Sequence, residues 1–364
     1  MNNINFSSTL FVFALLITIF SCGKENEESK YYRSFEFESV DDPIHLRAKK
    51  YNFKELINPK KIELKNELII IGESRRINDY NSPIHLIDKR NLKYFSGKGK
   101  IGFGPGEISD AYGIDASGED SVLWVYSSLE KRFSKFNIYD KKHLSEDQIK
   151  QAENFFMATA MAWSSDSSVV CRMANDSCKF VEFNIDGTRL GSYGLWQDLN
   201  VGKDLNDFNM AELHLGWFKG SKNRDIFVNA SYYRDHIEIF NRNEGMVYSV
   251  DGPRNEIPEF HFVSGGKGKS SVIIIDEENP VAYRDIYIGE QYIYGLYSGY
   301  TRKEMLREGK FAQDIFIFNL KGEFRSSFTI DIPIRALAVD EQSRKIYGIT
   351  ADENPGIAVF EMPK

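Results

Sequence analysis

The feature that most limits what this chain can fold into is a short strand pattern that recurs six times. An apolar or alternating run closes on a polar residue in Ile84-His85-Leu86-Ile87-Asp88, Phe133-Ser134-Lys135-Phe136-Asn137 and Phe180-Val181-Glu182-Phe183-Asn184. It returns in Ile237-Glu238-Ile239-Phe240-Asn241, Ile315-Phe316-Ile317-Phe318-Asn319 and Ile357-Ala358-Val359-Phe360-Glu361. The closing residues stand at 88, 137, 184, 241, 319 and 361, so the steps are 49, 47, 57, 78 and 42. A four-stranded propeller blade takes about 40–50 residues, and the longer steps imply insertions.

A second strand precedes each copy (Leu68–Ile71, Val122–Tyr126, Val169–Met173, Ile226–Asn229, Tyr292–Tyr297 and Lys345–Ile349), and a further strand lies before most of these, as at Leu215-Gly216-Trp217. An outer strand follows, as at Thr188–Gly194, Gly245–Val250 and Phe324–Ile330. Four strands in six units define an all-β, six-bladed β-propeller of four-stranded antiparallel blades over residues 31–364. The sixth copy ends at Glu361, three residues before the end of the sequence, which leaves no room for that blade's outer strand. Ser34-Phe35-Glu36-Phe37-Glu38 alternates with period two. It is expected to close the ring as the missing strand, so removing residues 31–40 should expose the domain to proteolysis. Two stretches read as helical insertions: His143–Asn154, opened by Ser145, and the charged Thr301–Lys310.

The first 21 residues read as a signal peptide. No charge precedes Lys24, and Leu10–Phe20 is an 11-residue run broken only by Thr18. That is too short to cross a hydrocarbon core of about 30 Å and suits a secretory signal. The run ends in Ile19-Phe20-Ser21-Cys22-Gly23, which resembles a bacterial lipobox and implies lipidation of Cys22. Phe20 is bulkier than is usual there, and the leading MNNINFSST lacks Lys and Arg; the alternative is a signal anchor or cleavage elsewhere. Residues 22–30 form an acidic tether. It either resembles the export signal of surface-displayed lipoproteins or is a plain solvated spacer, so the expected location is the outer membrane, on its periplasmic or its surface side.

With 46 basic and 53 acidic residues the net charge is −7, which argues against a nucleic-acid partner. Cys171 and Cys178 remain after signal removal. A two-residue turn at Ala174-Asn175 would set them opposite each other, so they are either a disulfide or two buried thiols. A metal site there is not expected, because no His lies nearby.

The segment Gly102-Phe103-Gly104-Pro105-Gly106-Glu107, with Tyr112-Gly113-Ile114-Asp115 and Leu123-Trp124-Val125-Tyr126 behind it, resembles the TolB-like six-bladed propeller lipoproteins of the Bacteroidetes. The resemblance implies fold and envelope location and transfers no catalytic residue. Physically, the three glycines permit positive φ while Pro105 lacks a donor. The loop is expected to lead from one blade's outer strand to the next inner strand, with Glu107 near the channel. Glu107 either bonds to backbone N–H groups or meets a ligand.

Other motifs fail on context. Gly97-x-Gly99-x-x-Gly102 copies a dinucleotide fingerprint, but the following Gly and Pro forbid the helix it needs. Gly268-Lys269-Ser270 lacks the first glycine of a phosphate loop, whose place Val263 takes. Glu182-x-Asn184-x-Asp186-Gly187 opens like a calcium loop but has Tyr193 where the bidentate Glu belongs. The six histidines form no metal-type pair, and no nucleophile elbow occurs. Any site is therefore dispersed around the channel mouth, where Glu107, Asp110, His214, Arg284 and Arg335 are the polar candidates, although each taken singly fits a solvated or ion-paired role better. The leading reading is a lipid-anchored envelope propeller, monomeric and without a cofactor, that binds a protein, peptide or glycan without catalysis. The alternative is a hydrolase, lactonase or lyase using a divalent cation in the channel. A third reading is a structural part of an envelope assembly.

Overall fold

The computed structural model describes residues 31–363 apart from 41, 79, 198, 200, 202–204, 255 and 264–271. The lipobox with Cys22 and the tether lie outside the described residues.

Six sheets are arranged around a channel, each ordered from its innermost strand outward. Blade 1 comprises Pro59–Lys65, Leu68–Glu73, Ile84–Asp88 and Lys93–Lys98, and blade 2 comprises Gly113–Asp115, Val122–Ser127, Arg132–Asn137 and Asp147–Lys150. Blade 3 runs through Ala158–Trp163, Ser168–Met173, Cys178–Asn184 and Arg189–Leu195. Blade 4 runs through Gly216–Gly220, Ile226–Ser231, His236–Asn241 and Met246–Asp251. Blade 5 holds Pro280–Ile288, Tyr292–Thr301, Asp314–Asn319 and Phe324–Ile330, and blade 6 holds Ile334–Asp340, Lys345–Thr350 and Ile357–Glu361. The six recurring signatures are thus the third strands of the six blades.

The strand that completes blade 6 is Ala48–Tyr51, antiparallel to Ile357–Glu361 with Ala358 opposite Lys50. Closure by an N-terminal strand holds, but the strand lies later than the expected 34–38. The alternation at Ser34–Glu38 has another cause. Tyr32–Ser34 lies parallel along the edge of blade 4, Phe37–Val40 is a 3-10 turn, and Ile44–Leu46 lies parallel along the edge of blade 5. Phe35, between them, is 5% exposed and stacks on Phe324 at 4.9 Å, with Phe316 and Phe318 edge-on. The leading segment therefore seals the seam between blades 4 and 5 before it closes blade 6. Loss of residues 31–40 removes that plug, and limited proteolysis of the shortened chain should show faster cleavage than the intact one. Equal resistance would overturn this role.

Both faces of each blade's middle strands are covered by neighbouring blades, and one apolar cluster fills each seam. The seam between blades 3 and 4 has the smallest, built from Ala162, Val170, Phe180, Phe227 and Phe240. Charged side chains occupy the rest of it.

One local expectation is corrected, and the turn assumed between the two cysteines is replaced by a longer one. His143–Asn154 is not a helix: Asp147–Lys150 is the outer strand of blade 2, paired with Arg132–Lys135, and only Glu153–Phe155 forms a helical turn. The unfilled fourth strand position of the blade overrides the local helical preference. Cys171 and Cys178 are both free. Cys171 faces Val181 across the hairpin while Cys178 faces Leu195 on the next strand, because the connection is longer than the two-residue turn assumed. The Thr301–Lys310 insertion does contain a helix, Arg302–Arg307, capped reciprocally by Thr301 and Glu304. Asp186-Gly187 forms the expected turn, with Gly187 at φ 97° and the Asp186 carboxylate accepting the Thr188 N–H at 2.8 Å.

Candidate functional site

All six inner strands begin on the same face of the ring, so residues at their starts meet around one channel mouth. Two of the five candidates are brought together there. Arg284 on blade 5 and Arg335 on blade 6 lie close enough that the Arg284 charge, after burial, lowers the proton affinity of Arg335. Lys60, at the start of blade 1, is depressed by burial and then by Arg335, Arg284 and Arg76. Beside it, the Lys61 ammonium extends across the channel, 5.0 Å from the Trp217 ring and 6.0 Å from the Tyr112 ring.

These cations are held by aromatic faces and carbonyls rather than by acids. The Arg284 guanidinium sits 5.9 Å from the Trp217 ring and 5.7 Å from the Tyr232 ring, and its Nη1 donates to the Tyr232 hydroxyl at 3.2 Å. Trp217 is fixed by its indole N–H, which donates to the Tyr283 carbonyl at 2.9 Å. Arg335 Nη2 donates to the Ala351 carbonyl at 2.7 Å, while its Nε is buried with no partner. Among the described residues none of Lys60, Lys61, Arg284 and Arg335 has a carboxylate within ion-pair distance. The neighbouring acids are committed elsewhere. Asp352 pairs with Lys50 at 2.8 Å, and Glu73 accepts the backbone N–H groups of Ile57 and Asn58.

Deeper in the channel, Lys219 lies 2.9 Å from Glu63 and 3.6 Å from Asp285. Burial opposes its charge, but Asp285 and Glu63 outweigh burial and raise its proton affinity. Asp285 also accepts the Leu337 N–H at 3.0 Å. An ammonium group therefore already occupies the place between Glu63 and Asp285. Among the described channel residues Lys60, Lys61, Lys219, Arg284 and Arg335 face Glu63 and Asp285, with Asp115 on the inner strand of blade 2 close enough to act on Glu63, so cations outnumber acids.

The other three candidates lie elsewhere. Glu107 stays at the rim, beside the outer strand of blade 2. It accepts from Lys100 Nζ at 2.5 Å and from the Gly104 N–H at 2.9 Å, and its own carbonyl accepts from Gln148. The loop turns near the rim before the chain reaches the channel. Of its glycines only Gly106 has positive φ, 77°; a Cβ on Gly102 would lie 2.0 Å from the Glu107 carboxylate, so that glycine makes room for the acid. Asp110 is buried and binds the Tyr112, Ser128 and Leu129 N–H groups, which makes it a brace inside blade 2.

His214 belongs to a buried cluster at the seam of blades 3 and 4. Its Nδ1 is 3.4 Å from Glu238 Oε1, and His236 Nε2 is 3.5 Å from the same oxygen. These separations resemble the edge of a small metal site. The hydrogen bonding argues otherwise. Arg234 can only donate, so at 3.0 Å it fixes His214 Nε2 as an acceptor and leaves the proton on Nδ1, the atom a metal would need. Burial lowers His214 to about 3, which keeps it in that neutral form. Glu238 is already met by Arg172 at 2.7 Å and Lys179 at 3.2 Å. His236 Nδ1 pairs with Asp251, which also accepts from Tyr32 at 2.7 Å. The cluster is an internal ion network around one carboxylate.

Sequence reasoning missed Lys60, Lys61 and Trp217 at the mouth. Their position at the start of an inner strand was the available signal.

A ring of six four-stranded blades with a polar mouth on its strand-entry face defines the class of this protein as a six-bladed β-propeller. The family model for TolB-like 6-blade propeller-like proteins matches residues 38–342, and the chain belongs to that family. Among solved structures it is similar to an exported-protein candidate of Bacteroides fragilis, with a TM-score of 0.54, 9% identity, and coverage of 92% of this chain and 99% of that one. It is also similar to a member of the DUF4221 family from Bacteroides vulgatus, with a TM-score of 0.51, 10% identity, and coverage of 86% and 98%. No curated protein matches the sequence.

Proposed function

We propose that this protein is a non-catalytic binding propeller of the cell envelope, monomeric, attached through Cys22, and that it takes its partner on the ring face around the channel mouth. The observation that carries this reading is the set of mouth cations without counter-ions, bordered by aromatic rings. Such an arrangement costs stability in the isolated chain through like-charge repulsion, and a docked partner offsets that cost. The lipobox-like segment and the similarity to an exported-protein candidate support the envelope location. The partner classes are a protein, a peptide or a glycan.

The competing reading, a hydrolase, lactonase or lyase with a divalent cation in the channel, needs carboxylates free to ligate. Lys219 lies between Glu63 and Asp285, and the Asp115 carboxylate accepts the Ser117 and Trp163 N–H groups. Thermal melts of the full-length protein in detergent, with EDTA and then with Ca²⁺, Mg²⁺ or Zn²⁺, are therefore expected to coincide. A cation bound at about a hundred times its dissociation constant would raise stability by about 2.7 kcal/mol, a shift that a melt resolves. A metal-dependent shift would overturn the binding reading in favour of the metalloenzyme.

A further inference from the structure

The mouth also defines what kind of group it accepts. Within the proposed binding role, we infer that the channel mouth is a carboxylate site for an acidic glycan, in which Arg284, Arg335 and Lys60 receive the carboxylate of a sugar acid while the surrounding rings carry its pyranose.

Three observations lead there independently of the partner's identity. The first is the charge imbalance: among the described residues no acid pairs with these side chains, and the nearby Asp352 and Glu73 are held by Lys50 and by backbone amides. The second is the buried Nε of Arg335, a donor without an acceptor. Leaving such a group unsatisfied is costly, and a shift of the half-buried guanidinium toward an incoming oxygen would remove the cost. Two guanidinium groups with their planar donor forks suit carboxylate oxygens better than they suit a single-point acceptor. The third is the company the cations keep. Tyr112 is 52% exposed, and Trp217 and Tyr232 are partly exposed at the same opening. Flat rings next to fixed cations match a ligand that is itself a ring with a charged substituent. A run of acidic peptide side chains would satisfy the charges and make no use of the rings.

Lys61 and Lys219 extend the positive field down the channel, but Lys219 is neutralised by Glu63 and Asp285. The uncompensated charge is therefore greatest at the opening, where a ligand arrives. Association should be steered by the field and weakened by salt.

The test uses the full-length protein in detergent and the probe tri-galacturonate, with maltotriose as a neutral ring control and tri-glutamate as an acidic chain without rings. Calorimetric titration is expected to show binding of tri-galacturonate, weaker at high salt, and no binding of the other two. The double variant Arg284→Gln/Arg335→Gln should lose affinity by about ten- to a hundredfold or more, the range for hydrogen bonds to charged groups. This variant relieves like-charge repulsion, so it should melt no lower than the parent, which separates lost binding from lost folding. Lys222→Glu, on the opposite face of the ring, should bind as the parent does. No binding of tri-galacturonate, or equal binding by the double variant, would overturn the inference. Equal binding of tri-glutamate would replace the glycan with an acidic peptide. The probe is also recovered and its chain length measured. Intact probe without binding defeats this inference alone, whereas shortened probe defeats the non-catalytic reading beneath it.

Discussion

Replacing Glu238 by Gln is expected to cost about 3–5 kcal/mol of stability, because it leaves buried charges without their counter-ion. Glu238 is fully buried on the third strand of blade 4, with Arg172, Lys179, His214 and His236 all directed at its two oxygens. Burial opposes its charge, yet Arg172 and Lys179 outweigh burial and hold it well below the ordinary carboxylate range. Its contribution is therefore present above the unfolded carboxylate pKa and fades only as the pH falls below it. For a domain of this size the loss corresponds to a melting point about 4–7 °C lower. Glutamine keeps the shape, so the loss reports charge rather than packing. Exchanging Arg172, Lys179 and Glu238 together for Met, Met and Leu should recover much of the loss, since apolar replacement of a whole ion network is often neutral or better. A single variant as stable as the parent would show that the network is dispensable.

The second large effect has the opposite sign. Asp235→Asn is expected to stabilise the protein at pH 7. Asp235 is buried and accepts bonds from the Arg254 N–H at 2.9 Å and from the Tyr297 hydroxyl at 2.9 Å. Burial pushes its pKa up to about 6, from an ordinary 3.8, despite those bonds. An acid whose folded pKa is raised binds its proton more tightly when folded. Stability from this group is thus present at low pH and lost as the pH rises from about 4 to 6, at about 1.4 kcal/mol per unit. Asparagine can accept both bonds without ionising. The variant's advantage over the parent should be absent near pH 3.5, grow between pH 4 and 6, and level off at about 3 kcal/mol. Denaturant unfolding at four pH values measures it, and a constant difference across that range would exclude the assignment. His214 works the other way. Its folded pKa of about 3 makes stability fall as the pH drops below the ordinary 6.5. In the parent the two groups offset each other between pH 4 and 6, so the variant should show the decline that His214 causes.

How much of this was legible depends on whether the signal was periodic. The six third strands are visible in the sequence because their apolar runs close on polar residues at blade spacing, and all six are strands of the ring. Arg335 was legible because a position at the start of an inner strand places a residue at the mouth whatever its neighbours, whereas Arg284 reaches the same opening from the middle of Pro280–Ile288, the longest of the inner strands. Lys60 and Lys61 obey the same rule at Pro59–Lys65, a strand whose Lys-rich start hid it. The ring-closing strand was misplaced because Ser34–Glu38 shows the right alternation, whereas Ala48–Tyr51, with two lysines, does not. Its place is fixed by the vacancy beside Ile357–Glu361, a fact of topology rather than of pattern. Glu238 was hidden for a related reason. In an alternating strand a Glu reads as solvent-facing, but a blade's middle strand is covered on both faces, so the alternate face is a second interior.

The leading segment has a consequence for which way the molecule looks. Tyr32 lies opposite Ser249 and Ser34 opposite Asp251, so this piece runs alongside the outer strand of blade 4 and in the same direction. That outer strand ends on the side where the next inner strand begins. Tyr32–Ser34 therefore enters the sheet from the opposite side. If the chain is attached through Cys22 as proposed, residues 22–30 can span at most about 30 Å, which would set the lipid headgroups behind the ring. The cationic opening would then point outward along the bilayer normal, away from anionic lipids that would otherwise compete for it. So attached, the molecule would stand like a dish on a short mast, open to solutes arriving from the aqueous side.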